Sequence, residues 1–151
     1  MVHEHANLEG DRLVAAAEAV LGEAGEQWTR MRAEVYKILV ELGRAASAYE
    51  VADQLSEREG RRVPANSIYR ILDLFVQTNL VRRVESTNAF IAIAHPECQH
   101  DCAFLICDAC GTVAHVDDDR LARQFRNLAK ASGFKPTRPV IEMHGRCAAC
   151  A

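Results

Sequence analysis

The alternation of apolar and polar residues predicts four helices before residue 80. The first is an alanine-rich segment over residues 8–22, and Gly22 suits its C-terminus. The second covers residues 30–42, with Thr29 placed as its N-cap and Gly43 as its end. Its apolar positions recur at helical spacing and are Met31, Val35, Ile38, Leu39 and Leu42.

A charged segment over residues 57–63 predicts a loop between the third and fourth helices. The third helix begins at Ser47-Ala-Tyr-Glu50, a spacing that lets the serine and glutamate side chains each accept from the other's free backbone N–H. The fourth follows Pro64 and separates into two faces. Its apolar stripe consists of Ile68, Ile71, Leu72, Phe75 and Val76. Its polar side carries Asn66, Ser67, Tyr69, Arg70 and Asp73.

After Asn79 the period changes from helical to alternating. Residues 80–84 and 89–93 predict two short strands around the turn residues 86–88, and helices followed by such a hairpin are typical of a winged helix. The polar side of the fourth helix is then a candidate DNA surface. Tyr69 offers a ring to a thymine methyl and Arg70 a fork to guanine or phosphate, with Ser67 beside them. Arg32 in the second helix is a candidate phosphate contact, and the alternative is a solvated polar face without function.

From His95 onward the chain is rich in cysteine and histidine and follows a new order of elements. Residues 103–106, 112–116 and 139–144 predict strands, and residues 118–132 predict a helix. We therefore expect an α+β fold with two domains. The winged helix occupies residues 1–85, a hinge residues 86–94, and a small α/β domain residues 95–151.

Two cysteine pairs of identical spacing are the most specific chemical feature. They are Cys107-Asp-Ala-Cys110 and Cys147-Ala-Ala-Cys150, with residues 111–146 between them. Four sulfurs suit tetrahedral zinc, and closing both pairs on one ion ties the last strand to the first, which stabilises a small core. A redox dithiol is the alternative, but it needs only one pair.

A looser group of possible ligands surrounds the start of this second domain. Its members are His95, Cys98, His100 and Cys102 in one loop and His115 in a strand. Imidazole and thiolate together favour zinc over magnesium or calcium. Irregular spacing of the ligands is typical of a regulatory site that binds its metal reversibly. The alternative interpretation is that these are ordinary surface histidines and cysteines.

Composition narrows the class of protein. No apolar run approaches the length that spans a bilayer, and the amino terminus lacks the pattern of an export signal, so we expect a cytoplasmic protein. In that reducing compartment the 6 cysteines favour metal or redox roles over disulfides. The net charge of −3 alone neither favours nor excludes DNA. No nucleophile and base stand together with an obvious pocket, so we expect neither an enzyme nor a small-molecule substrate.

Four stretches of the chain, taken in order, resemble one known family. They are Ser67-Ile-Tyr-Arg-Ile-Leu72, Val84-Glu-Ser-Thr-Asn88, Cys107-Asp-Ala-Cys-Gly111 and His144-Gly-Arg-Cys-Ala-Ala-Cys150. The order is similar to the Fur family of metal-dependent repressors, and within it to the branch that controls zinc uptake. The resemblance covers nearly the whole chain. It implies a homodimer with an amino-terminal winged helix, a carboxy-terminal dimerisation domain, a structural four-cysteine zinc and a regulatory zinc at the hinge. It also implies that the zinc-loaded dimer binds double-stranded operators and represses zinc-uptake genes.

The resemblance assigns roles to single residues. Tyr69 and Arg70 match the recognition-helix pair, the four paired cysteines match the structural ligands, and His100 and His115 fall where regulatory ligands are usual. The chain departs from the pattern with Ile93 where many zinc regulators of the family carry a cysteine ligand. It also has Arg82 where some have a histidine, and His115 where a glutamate is frequent. The missing thiolate would come from Cys98 or Cys102. The rival functions are a family member that senses another metal or peroxide, which the thiol-rich loop disfavours, and a zinc-dependent enzyme.

Overall fold

The computed structural model describes residues 8–96, 101–116 and 118–151. The chain forms two compact units, each of which is described by itself. The first contains the described residues up to Pro96, and the second contains those from Asp101 onward. The predicted metal ligands Cys98 and His100 lie outside the described residues.

The first unit is a four-helix domain with a small sheet. Its helices are α1 (Gly10–Glu23), α2 (Arg30–Leu42), α3 (Ala48–Glu59) and α4 (Ala65–Gln77). Its strands are β1 (Ala46–Ser47), β2 (Val81–Val84) and β3 (Ala89–Ala92), antiparallel in the order β1-β3-β2. The helices enclose a core in which Tyr36, Ile68, Leu72 and Phe75 are fully buried. These helices and the β2–β3 hairpin confirm the predicted winged helix. No helix in the described part of the chain is long and apolar enough to cross a membrane.

Local signals set most of the helix ends. The Thr29 side chain accepts from the backbone N–H of Arg32 at 3.3 Å, and Gly43 ends α2 with a left-handed φ of 59°. Ser47 caps α3 by accepting from the N–H of Glu50 at 3.1 Å. The second hydrogen bond predicted for this cap, from the backbone N–H of Ser47 to the Glu50 carboxylate, is wrong, because that carboxylate pairs with Arg44 instead.

The structure differs from the predicted elements in several places, and the strands deviate by one or two residues at their ends. The helix α3 extends to Glu59 through a segment predicted as loop, where Arg58 pairs with Glu41 and Arg30 pairs with Glu59. These ion pairs join α3 to α2, a contact that the local sequence does not reveal. Gly22 lies inside α1, and the left-handed glycine after this helix is Gly25 with φ of 80°. The strand β1 was not predicted, because its two residues are extended by pairing with β3.

The second unit is a three-stranded sheet with one helix. It contains β4 (Ala103–Cys107), β5 (Val113–Val116), α5 (Asp119–Ala131) and β6 (Ile141–Gly145), in the predicted order strand, strand, helix, strand. The central strand β4 is antiparallel to β5 and parallel to β6. The side chain of Asp118 caps α5 by accepting from the N–H of Arg120 at 2.9 Å. The α+β fold class is confirmed in both units.

Candidate metal centre and nucleic-acid interface

The parallel pairing of β4 and β6 brings the two cysteine pairs to one edge of the sheet. Cys107 is the last residue of β4 and stands opposite Gly145, the last residue of β6. Each pair then folds into a tight turn. The N–H of Gly111 donates to the carbonyl of Cys107 at 2.8 Å, and the N–H of Cys150 donates to the carbonyl of Cys147 at 3.0 Å. The two turns therefore present their thiols toward each other.

The four sulfur atoms form a set that fits one tetrahedral ion. All ligand atoms of Cys107, Cys110, Cys147 and Cys150 lie within 4.8 Å of one another. Cys110 Sγ and Cys147 Sγ are 3.8 Å apart. A tetrahedral zinc with Zn–S bonds of about 2.3 Å has S···S edges of about 3.8 Å. Within the described part of the chain, no other group of three or more possible ligands was found.

Hydrogen bonds lower the pKa of two of the thiols and so favour the thiolate form that binds a cation. The pKa of Cys107 falls to about 6, mainly because the backbone N–H of Cys147 donates to its sulfur. The pKa of Cys110 is lowered mainly by the Thr112 hydroxyl, whose oxygen is 3.1 Å from the sulfur. Contacts with the sulfur atoms of Cys147, Cys110 and Cys107 raise the pKa of Cys150 to about 12. Without a cation the cluster thus keeps a proton on Cys150, and a bound cation reverses that preference.

A polar contact that the sequence reasoning missed joins the two turns. Asp108 lies inside the first cysteine pair, and His144 lies just before the second. Asp108 Oδ1 and His144 Nδ1 are 2.7 Å apart, and the N–H of Asp108 donates to the carbonyl of Gly145 at 2.9 Å. The only advance signal was the position of each residue beside a ligand pair.

The predicted regulatory ligands are distributed over both units. In the first unit, His95 is buried in the segment after β3. In the second, Cys102 is half-buried directly before β4, and His115 is exposed on β5. The His115 ring lies 5.8 Å from the Phe104 ring, centroid to centroid. None of these three belongs to the cluster of four cysteines.

The helix α4 has the two predicted faces. Ile68, Leu72 and Phe75 are buried, whereas Arg70 is exposed and Ser67 and Tyr69 are half-buried. Arg70 has no hydrogen-bond or ion-pair partner among the described residues, nor do the exposed Arg61 and Arg62 before this helix. Exposed guanidinium groups without such a partner suit phosphate or base contacts.

The candidate DNA residue Arg32 is in a different situation. Its guanidinium donates to the Gln27 carbonyl at 2.6 Å and to Glu26 at 3.2 Å. Arg32 thus binds the segment that precedes α2. These hydrogen bonds were not predicted from the sequence.

Three contacts of Tyr69 were also missed. The Tyr69 ring makes edge contacts with Tyr49 on α3 and with Phe90 on β3, at centroid distances of 6.2 and 6.4 Å. The side-chain amide of Asn88, between β2 and β3, donates to the Tyr69 hydroxyl at 3.3 Å. Helix periodicity identified the polar face of α4, but it carries no information on these contacts from other elements.

The fold and the cysteine cluster define a metal-binding winged-helix protein, and the ferric uptake regulator family model matches residues 23–144. The chain belongs to the ferric uptake regulator (Fur) family. It is 35% identical over 140 residues to the zinc uptake regulation protein of Escherichia coli (strain K12), covering 91% of this chain and 81% of that protein. It is 28% identical over 130 residues to the zinc uptake regulation protein of Mycobacterium tuberculosis (strain ATCC 25618 / H37Rv), covering 86% of this chain and 98% of that protein.

Two solved structures are similar to the chain along most of its length. One is a zinc uptake regulator complexed with zinc and DNA, with a TM-score of 0.84, 33% identity and 91% of each chain covered. The other is holo XcZur, with a TM-score of 0.82, 35% identity, and 93% of this chain and 97% of that chain covered.

Proposed function

We propose that the chain is a zinc-responsive transcriptional repressor that binds the operators of zinc-uptake genes as a homodimer. The observation that carries this function is the polar face of α4, where Arg70 is exposed and Tyr69 half-buried, held in place by the buried stripe of the same helix. Such a helix enters the major groove in winged-helix proteins. The similar structure that is complexed with zinc and DNA supports the same function.

One zinc ion is structural and is held by the four cysteine thiolates. The sulfur separations fit tetrahedral coordination, and four protein ligands leave no open position for a substrate. The ion supplies a crosslink between the ends of β4 and β6, which stabilises a unit with a small core. We propose no catalysed reaction for this protein.

A second zinc is regulatory. We assign to it His100 and His115, with a thiolate from Cys98 or Cys102, and His95 as a further candidate. Imidazole and thiolate donors suit zinc. Such an ion represses transcription only if it binds the DNA-competent state more tightly than the incompetent one. By linkage, zinc and operator then strengthen each other's binding by the same factor.

Homodimerisation is supported by an exposed apolar face on the second unit. Leu121, Phe125 and Leu128 follow one another at helical spacing on α5 and are 42, 52 and 67% exposed. With Val140 and Ile141 they line a groove of about 310 Å³. Only Ala122 of α5 is buried in the single chain. A second copy of the chain would remove these side chains from water. We place the dimer in the cytoplasm, where bacterial operators lie.

Zinc-dependent operator binding of a His100→Ala/His115→Ala double variant tests the proposal. Fluorescence anisotropy with labelled operator measures the affinity with and without added zinc. The wild type should bind more tightly with zinc by a factor on the order of 10 to 100. The double variant should keep one zinc per chain and remain dimeric, but show no such gain. A His3→Ala/His5→Ala variant is the matched control and should respond like the wild type. Undiminished zinc dependence in the His100/His115 variant would refute the regulatory assignment.

A further inference from the structure

The hairpin of β2 and β3 is the wing of the winged helix, and Asn88 lies in its turn. Through its side chain, Asn88 connects β2 to α4, the predicted recognition helix. Its backbone is left-handed, with φ of 49°, a conformation that asparagine tolerates better than most residues. Arg83 Nη2 donates to its Oδ1 at 2.7 Å. Its Nδ2 donates to the Tyr69 hydroxyl oxygen at 3.3 Å. The amide thus bridges a strand residue and a candidate DNA-reading residue.

The Arg83 contact decides the direction of the Tyr69 contact. A guanidinium group has only donors, so the amide oxygen of Asn88 must face Arg83. The NH₂ group must then face Tyr69, and the phenol oxygen acts as acceptor. The phenol's own proton stays available for an acceptor outside the protein.

Other elements fix the Tyr69 ring itself. It lies in edge contact with Tyr49 and with Phe90, which is buried on β3. Tyr49 is 65% exposed, so this aromatic pair reaches the surface of the domain. Both the ring and the hydroxyl direction are therefore set before DNA arrives. Such preorganisation lowers the entropy cost of binding.

We propose that Asn88 is a positioning residue that makes Tyr69 a hydrogen-bond donor to an acceptor on a base edge in the major groove. The acceptors there are purine N7, guanine O6 and thymine O4. The amino groups of cytosine and adenine are donors, so they cannot receive the proton of the Tyr69 hydroxyl. The inference rests on the proposed function, because it assigns the chemistry that Tyr69 reads. It adds a role for the wing, whose Asn88 side chain donates a hydrogen bond to the recognition helix.

The probe for the test is a duplex selected from random DNA by the zinc-saturated wild-type dimer. Failure of the wild type to select any sequence would refute the proposed function and not this inference alone. Affinities are measured for the selected duplex and for random DNA. Asn88→Gly keeps the left-handed backbone and deletes the amide. Thr87→Gly, at an exposed neighbour without a partner among the described residues, is its matched control.

Asn88→Gly should weaken binding to the selected duplex about 3- to 10-fold, the cost of ordering one side chain, and leave random DNA binding unchanged. Tyr69→Phe removes the same hydroxyl without altering the wing, and the double variant should bind no more weakly than Tyr69→Phe alone. Additive losses, an Asn88→Gly affinity equal to that of Thr87→Gly, or an equal loss on random DNA would each overturn the proposal. If Asn88→Gly lowers the melting temperature, the Tyr69→Phe variant alone decides. An affinity of Tyr69→Phe for the selected duplex equal to that of the wild type then overturns the proposal.

Asn88→Asp tests the direction of the hydrogen bond. A carboxylate accepts the phenol proton and so removes the donor from the DNA side. Thr87→Asp adds the same charge one residue away and accounts for repulsion by phosphates. Asn88→Asp should weaken binding to the selected duplex by more than Thr87→Asp does, and Tyr69→Phe should then cause no further loss. Equal effects of the two aspartates would show that the hydroxyl direction is irrelevant.

Discussion

The backbone N–H of Cys147 donates a hydrogen bond of 3.3 Å to Sγ of Cys107, across 40 residues of sequence. The first residue of the second cysteine pair therefore stabilises the thiolate of the first pair. Because Cys107 also ends the central strand β4, this bond and the metal act on the same point of the fold. The cluster is an integral part of the sheet edge.

Loss of one ligand should disrupt the second unit. Cys107→Ser is expected to lose the structural zinc and to unfold or monomerise that unit, because a small core loses its crosslink. Metal analysis and light scattering measure zinc per chain and mass. Cys102→Ser, which changes a cysteine of the same unit outside the cluster, should keep the structural zinc and the dimer. A stable dimer of Cys107→Ser would contradict the structural role.

Zinc release should require acid. The pKa of Cys107 is lowered to about 6 even without a metal, so this thiolate is present at neutral pH and is lost only as the pH falls through that value. Bound zinc lowers thiol pKa values further, and protons should therefore displace the ion only below about pH 6. A chromogenic chelator follows the release. A midpoint above pH 7 would contradict the assignment.

Thr112 should set part of this pH dependence. Its hydroxyl lowers the pKa of Cys110 in the same cluster. Thr112→Val keeps the shape and removes the hydroxyl, so protons should compete better and the midpoint of zinc release should rise. A midpoint equal to that of the wild type would show that the hydroxyl does not stabilise the bound thiolate.

Arg70 should carry a substantial part of operator affinity. Arg70→Ala is expected to weaken operator binding by about 1–3 kcal/mol, because an exposed and unpaired guanidinium is available for a base or phosphate. Zinc content and dimer mass should not change. Lys135→Ala removes an exposed charge of the second unit and should leave affinity within experimental error. Equal affinities of the two variants would place the DNA surface elsewhere.

The apolar face of α5 should hold the dimer together. Leu128→Glu introduces a charge into the exposed stripe and is expected to shift the protein toward monomer, measured by sedimentation. Asn127→Glu introduces the same charge at the preceding, exposed residue, which does not line the groove. A dimer that survives Leu128→Glu, with the same dissociation constant as Asn127→Glu, would exclude this face.

Local sequence determined much of the architecture. Helical spacing of apolar residues, the Thr29 cap and Gly43 predicted α2 with the bounds that the structure has, because caps and amphipathic stripes act within one helix. The spacing of the two cysteine pairs likewise predicted the metal cluster, because thiolate chemistry and turn length are properties of the local sequence.

Tertiary structure alone decided which groups meet across elements. It placed Asn88 against Tyr69, turned the Arg32 guanidinium toward Glu26, and joined Asp108 to His144. It also extended α3 to Glu59 and formed β1 by pairing with a distant strand. Most of these features depend on contacts between residues far apart in sequence, and the Arg32 contact spans only six residues. Their geometry is set by packing and sheet register and therefore leaves no periodic signal in the chain.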